Sequence, residues 1–256
     1  MEARYPVRLE VCGAFAMFAR PDSGGAPTSY PVPTWSAAKG IFESIAFLSD
    51  GRAWIDPVKV EVCRRVGESG GMIRFQRYTT NYGGPLRKSD LLKKGVAAGG
   101  SSMQVFATIL SDVCYRLHGA IVGPKAEGGT NARHYLQDLF QRRLLQGRCF
   151  RTPVLGWREF TPSYWGPFRC RKYADGSENE AWSRLCTRFG RPFEDCTEVD
   201  EALTIEIPSM LQGMWSRATS GAYSPDFRQN ACIESGVLSY DDFGAEYVEM
   251  EALDVE

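Results

Sequence analysis

Between residues 5 and 19 apolar and polar side chains alternate, with Val7, Leu9 and Val11 on one side, and this period of two predicts a strand entering a core. A loop rich in Gly, Pro and Ser follows, from Pro21 to Pro33. The run Thr34-Trp35-Ser36 then offers N-cap hydroxyls to a helix whose apolar positions recur three and four apart: Ala37, Ala38, Ile41, Phe42, Ile45 and Leu48. Residues 53–66 read as a second strand through Trp54, Val58, Val60 and Val62. The next segment, 67–102, is Gly-rich and basic, with Arg74, Arg77, Arg87, Lys88, Lys93 and Lys94, and reads as an extended hairpin or a mobile loop. A strand over 113–122 comes next, then a loop holding Gly128 and Gly129. Thr130 or Asn131 caps a helix over 132–146 with Leu136, Leu139, Phe140 and Leu144 inward, and Arg133, His134, Gln137, Gln141 and Arg142 on its other face. Val154 to Phe160 reads as a further strand, and from 161 onward come Pro, Gly, aromatics and short strands such as Leu203 to Ile207.

The first 160 residues thus run β-α-β-β-α-β, the order of a ferredoxin-like α+β fold with a hairpin grown out of its middle. That fold hosts many functions and argues for none by itself. The 256 residues are 43% hydrophobic and 24% charged, which excludes a disordered, collagenous or coiled-coil chain. The apolar run from Val11 to Ala19 has the look of a signal core, but Glu2, Glu10 and the strand-like alternation argue against one. With no apolar stretch of about eighteen residues either, the expectation is a soluble, cytoplasmic chain without membrane contact.

Charge changes the picture more. The net of −1 divides into 25 Lys+Arg against 13 Asp+Glu over residues 1–172, and 5 against 18 over residues 173–256. A basic body of this kind is a footprint for a polyanion, most often nucleic acid; alternatively, the acidic segment folds back and neutralises it. The eight cysteines are scattered, with no C-x-x-C pair and only His118 and His134 to supplement them, so no zinc site is expected and the thiols read as buried and reduced. Walker A, G-x-G-x-x-G, G-x-S-x-G and D-x-D patterns are all missing, which removes the usual support for nucleotide hydrolysis, hydride transfer and serine hydrolysis.

Three places remain where chemistry is plausible. The loop-to-helix passage from Ser29 to Gly40 ends in hydroxyls, backbone N–H groups and Lys39, a phosphate-attracting helix start or simply a capped helix. Arg133-His134-Tyr135 opens the second helix; imidazole moves a proton while a guanidinium stabilises charge on phosphate oxygens, and the alternative is a solvated polar face. The basic stretch 70–102 interleaves Phe75, Tyr78 and Tyr82 with cations, as a single-strand binder stacks bases and tracks a backbone, or as a solvated loop would. His118, in the strand 113–122, reads as a structural residue.

Gly13 to Phe18, Ser29 to Glu43 and Arg133 to Phe160, in that order, resemble the Cas-five family of CRISPR-associated proteins in its subtype I-C form. The last segment includes Leu139-Phe140-Gln141-Arg142-Arg143, Gly147-Arg148-Cys149-Phe150 and Leu155-Gly156-Trp157-Arg158-Glu159-Phe160. The resemblance implies a ferredoxin-like (RRM-like) body over residues 1–165 with a basic β-hairpin thumb inserted at 67–112, a β-rich C-terminal subdomain over 166–240, and an acidic tail over 241–256. It implies a subunit that holds the 5′ handle of CRISPR RNA at one end of the Cascade antiviral complex, touching the backbone and large subunits and reaching target DNA only through the complex. Subtype I-C members also act as the endoribonuclease that cuts the precursor by attack of a 2′-OH on the adjacent phosphate, without metal or other cofactor.

The family's catalytic pattern is a Tyr ending the first helix and a Lys-His pair opening the second. The pair falls on Arg133 and His134, where Arg133 keeps the charge without a transferable proton. The Tyr position is Ala46 here, so the phenol must come from elsewhere, with Tyr30 and Tyr135 as sequence candidates, or be missing. Three readings stay open: a processing endoribonuclease running on His134 and Arg133, a non-catalytic RNA-binding assembly subunit, or an unrelated basic domain that binds an acidic protein. The RNA contacts implied are Ser36, Lys39, Arg74, Arg77 and Arg158, with Arg133 and His134.

Overall fold

The computed structural model describes residues 5–71, 73–83, 102–123, 131–173, 176–189, 196–215 and 223–240. The acidic tail 241–256 and the basic residues 87–94 lie outside them. Among the described residues the architecture is mostly strands with three α-helices. In chain order these are β1 (Pro6–Ala16), α1 (Trp35–Ile45), β2 (Trp54–Arg65), β3 (Phe75–Gly83), β4 (Ser102–Val122), α2 (Ala132–Gln146), β5 (Tyr164–Gly166), α3 (Glu180–Phe189), β6 (Thr197–Val199), β7 (Ile205–Trp215), β8 (Tyr223–Ile233) and β9 (Val237–Ser239). The main sheet has the order β5-β1-β4-β2-β6, with β3 also paired to β4 and β9 to β2; β7 and β8 form a separate ribbon.

The caps are local chemistry. Thr34 Oγ1 accepts from the Ala37 N–H at 3.2 Å and starts α1. Asn131 Oδ1 accepts from the Arg133 N–H at 3.1 Å and starts α2, which ends on Gly147 in the left-handed region (φ 65°). The alternation of β1 points Val7, Leu9 and Val11 into a core with Val60, Tyr115 and Leu117 of the neighbouring strands and Ile41, Phe42, Ile45, Leu136 and Phe140 of the helices. The rings of Phe42 and Phe140 meet at 5.8 Å, so the two helices share that core. No helix among the described residues is long and apolar enough to cross a membrane.

Three sequence expectations are corrected. Val154 to Phe160 is no strand: the Leu155 N–H donates to the Phe160 carbonyl, Gly156 sits at φ 90° against the Met17 carbonyl, and the fourth position beside β1 goes to the short β5. The strand expected over 113–122 begins at Ser102, so the second arm of the basic insertion and the core strand are one element, bent at Asp112 (φ 51°). The C-terminal region holds a helix, α3, that the sequence reading did not anticipate.

The layout of β4 makes a cleft. Its ladder with β2 stops at Val62–Tyr115, and its ladder with β3 starts at Phe75–Leu110. Between them β2 departs to pair Cys63 with Val199 of β6. The exposed edge of β4 opens into a space of about 480 Å³ lined by Cys12, Cys63, Arg74, Asp112, Cys114 and Arg169 among others.

Candidate active site

The start of α2 gathers the chemistry. His134 is 65% exposed at its side chain, with Nε2 3.4 Å from Asp138 Oδ2 one turn on. The Arg133 guanidinium lies 5.4 Å above the ring of Tyr5, and Asn131 Nδ2 donates to the Tyr5 phenol oxygen at 2.9 Å. Gln137 Nε2 donates to the Pro6 carbonyl at 2.9 Å and pins this turn to the start of β1. A guanidinium and a phenol therefore meet at the positive end of a helix, with an open imidazole on the next residue. That set is suited to proton transfer and charge stabilisation at a phosphodiester.

Tyr5 escaped the sequence reading because it lies 126 residues from Asn131. The signal was in the topology. Antiparallel β1 and β4 set Pro6 opposite Ala120, so whatever precedes β1 stands beside the chain leaving β4 for α2. Tyr30 is 1% exposed and takes its hydrogen bond from the Leu211 N–H, while Tyr135 is exposed next to His134 in sequence.

Ala46 is fully buried at the end of α1. There the Ile45 carbonyl accepts from Arg143 at 2.7 Å, far along α2 from His134. Nine residues of helix separate Arg143 from His134, roughly 13 Å of rise. A phenol at position 46 would sit against the second half of α2.

The remaining candidates fall into two groups. Ser36 is exposed, with its Oγ 3.2 Å from Thr34 Oγ1, whereas Lys39 is packed down, its ammonium 3.3 Å from Glu43 and 5.4 Å from the Trp35 ring. Trp35 donates to Asp56, which shares a row of the sheet with Ala120 and Pro6, so both helix starts are anchored on the same strand ends. Arg74, Arg77 and Arg158 are exposed elsewhere. Arg74 pairs with Asp112 at 3.1 Å, Arg77 stands opposite Thr108, and Trp157, before Arg158, packs its ring 6.3 Å from Tyr78 of β3. Ala120 and Thr108 are twelve residues apart, at most roughly 40 Å along the strand. Phe75 and Phe106, 49% and 63% exposed, share the Arg77 face.

The opposite face of the central strands carries an ordered array that sequence reasoning passed over. Registered across β1, β4 and β2 are Arg8, His118 and Lys59, and then Glu10, Arg116 and Glu61. Cys12 and Cys114 form the next row, with Cys63 following Val62 on β2. Glu10 is fully buried and accepts from Arg116 Nε (3.2 Å), the Arg169 N–H (2.9 Å), Arg169 Nε (2.6 Å) and Thr197 Oγ1 (2.8 Å). Burial raises its pKa nonetheless. His118 Nε2 and Lys59 Nζ reach Glu61 Oε1 at 2.9 and 2.7 Å; against the pull of burial they hold this carboxyl at about 2. Burial moves His118 down. His118 is thus the structural residue expected, and through Arg169 and Thr197 the array fastens β5 and β6 onto the sheet.

Over residues 7–223 the chain matches the family model described as CRISPR-associated protein (Cas_Cas5), in its Cas5d form. The chain belongs to the Cas5 family. A CRISPR pre-crRNA endoribonuclease Cas5d of Mannheimia succiniciproducens is 30% identical over 161 residues, 60% of this chain and 69% of that protein. A protein of the same description from Thermus thermophilus is also 30% identical over 161 residues, 63% of each chain, so the match spans a little under two thirds of that relative. Among solved structures, a CRISPR-associated protein aligns over 94% of this chain and 93% of its own with a TM-score of 0.56 at 16% identity. A functionally uncharacterized Streptococcus mutans protein aligns over 94% of both chains with a TM-score of 0.53 at 16% identity. At that identity the two structures speak for the fold alone. All the family-derived residues of this Cas5 chain lie inside the matched range, while Tyr5 precedes it.

Proposed function

We propose that this Cas5 chain is the CRISPR RNA 5′-handle-binding subunit of a type I-C Cascade complex and also the metal-independent endoribonuclease that processes the precursor. The observation that carries the reading is the contact of Arg133 with Tyr5 at the start of α2, with the exposed His134 on the adjoining residue. In the proposed reaction His134 takes the proton of the ribose 2′-OH, whose oxygen attacks the adjacent phosphorus. Arg133 stabilises the charge gathering on the non-bridging oxygens, the P–O5′ bond breaks, and Tyr5, the phenolic donor that position 46 lacks, protonates the leaving 5′ oxygen. The product is a 2′,3′-cyclic phosphate. Both Cas5d relatives are named pre-crRNA endoribonucleases, which supports this reading.

The same proposal extends to the architecture and the partners. The order β5-β1-β4-β2 with helices after β1 and β4 supports a ferredoxin-like body over residues 1–165, and the β3–β4 ladder supports a thumb that stacks RNA bases through Phe75 and Phe106 beside Arg77. The backbone and large Cascade subunits are the protein partners, and the cytoplasm is the compartment. One observation favours a second reading, a purely binding subunit: Ala46 is buried where the family pattern places its phenol.

A cleavage assay in EDTA, with labelled repeat RNA and His134→Ala as the paired variant, decides between them. A single cut abolished by the substitution supports the nuclease. Salt-sensitive binding with no cut by either protein leaves the binding subunit.

A further inference from the structure

We infer that Cys12 and Cys114 are a hydroperoxide-reactive thiol pair that closes to a disulfide on the floor of the cleft beside β4. The two residues stand directly opposite each other in the antiparallel β1–β4 ladder, with their sulfurs 2.6 Å apart. Opposed residues in such a ladder have Cα atoms about 4.5 or 5.5 Å apart, and both spacings fall within the range that a disulfide spans. Closing the bond needs a sulfur displacement of only about 0.6 Å toward the usual length of about 2.05 Å.

The surroundings favour a reactive sulfur. Both residues line the cleft of about 480 Å³, which gives a small oxidant access. Arg169 Nη2 is 2.7 Å from Cys12 Sγ and 3.6 Å from Cys114 Sγ. In this network two guanidiniums, Arg116 and Arg169, face one carboxylate, Glu10, so a thiolate supplies the missing negative charge. At the cleft wall Arg64 already faces two carboxylates, Glu198 and Asp200, and Arg74 faces Asp112, so neither cation adds to this surplus. Hydrogen bonds from Cys12 and Cys63, and then Arg169, hold the Cys114 thiol well below its ordinary range, while burial pushes Cys12 up. A metal ion is the poorer occupant. Glu10 already accepts from four donors, and a cation would sit beside two guanidiniums.

The chemistry balances with a hydroperoxide as oxidant. The Cys114 thiolate attacks the terminal peroxide oxygen and the O–O bond breaks. The leaving alkoxide, or hydroxide when the oxidant is hydrogen peroxide, takes a proton from water. Sulfur is oxidised by two electrons to a sulfenic acid. Cys12 Sγ then attacks that sulfur, and its proton departs with the displaced hydroxide as water. Two thiols and one hydroperoxide give one disulfide, one alcohol or water, and one further water.

The test uses the full chain, reduced and chelator-treated, titrated with hydrogen peroxide and mapped as non-reduced peptides, with exposed Cys149 as internal reference. The expected result is a Cys12–Cys114 linked peptide, reversible by dithiothreitol, forming about tenfold faster than Cys149 is oxidised. In Cys12→Ser, dimedone labels Cys114. The inference is overturned if Cys149 is consumed while Cys12 and Cys114 still take up alkylating agent, or if the linked peptide joins Cys63 instead.

Discussion

Glu10→Ala tests the array that fastens the C-terminal region to the sheet. The carboxylate is fully buried and accepts from Arg116, Arg169 and Thr197, the last of these 187 residues downstream. Truncation leaves Arg116 with only the carbonyl and hydroxyl of Thr197, and Arg169 with the sulfurs. Two buried guanidiniums then lose their one carboxylate. Breaking a buried pair from one side costs about 3–5 kcal/mol, a large part of the 5–15 kcal/mol that holds a typical domain together. Urea unfolding at neutral pH followed by tryptophan fluorescence reads the loss directly. Glu10→Gln, which keeps the shape and one acceptor oxygen, is expected to lose less than the alanine variant. Limited proteolysis should cut residues 164–200 first, because their anchor is gone. A loss below about 1 kcal/mol with an unchanged denaturant slope would refute the reasoning, since the cations would then be solvated through the cleft.

Three further outcomes are expected. Tyr5→Phe keeps the ring beneath Arg133 and removes the bond from Asn131, so repeat-RNA affinity should stay within about twofold while single-turnover cleavage falls about 10–100-fold; an unchanged rate removes the phenol from the mechanism. Gly156→Ala drives a Cβ into the Met17 carbonyl at φ 90° and should cost about 2–4 kcal/mol, read as a Tm lower by about 5–15 °C; an unchanged melt would contradict the turn. Acid should weaken the fold in two stages. The unfolded chain protonates His118 near its ordinary 6.5 while burial keeps the folded imidazole neutral, so stability starts to fall below that pH. Glu61, ordinarily 4.5 and held at about 2, contributes fully above 4.5 and loses its contribution as pH falls toward 2. Urea midpoints across pH 3–8 check the windows, and His118→Gln should erase the upper stage and shrink the lower one, because Glu61 then keeps only Lys59.

Local signals carried the elements that local chemistry decides. Thr34 and Asn131 cap the helices as read, and the alternation of Val7, Leu9 and Val11 aims β1 correctly. What escaped depends on distant chain. Arg8 and Glu10 fall by period on the side away from the core, but the chain around Arg169 and Thr197 covers that side, and nothing near Glu10 in sequence announces either residue. Val154 and Phe160 have strand-like apolarity, yet Gly156 bends them into a turn that buries Leu155. The charge division resolves in both directions. Arg64 meets Glu198 and Asp200 of the acidic half, while Arg77 and Arg158 stay exposed. Tyr5 needed the β1–β4 register before its neighbourhood could be known.

One strand joins the two halves of the proposed RNA path. β4 runs 21 residues from the β3 ladder to the threshold of α2, and a paired strand neither stretches nor slides. The separation between the proposed grip and the proposed cutting site is therefore a fixed gauge, cut into the backbone rather than set by side chains. One added residue turns the core side chains beyond it outward unless a bulge absorbs it, as between Pro57 and Lys59 of β2, whereas two keep the facing and lengthen the gauge by roughly 7 Å. Relatives that read a longer or shorter handle would be spaced from this one by pairs of residues or by a bulge.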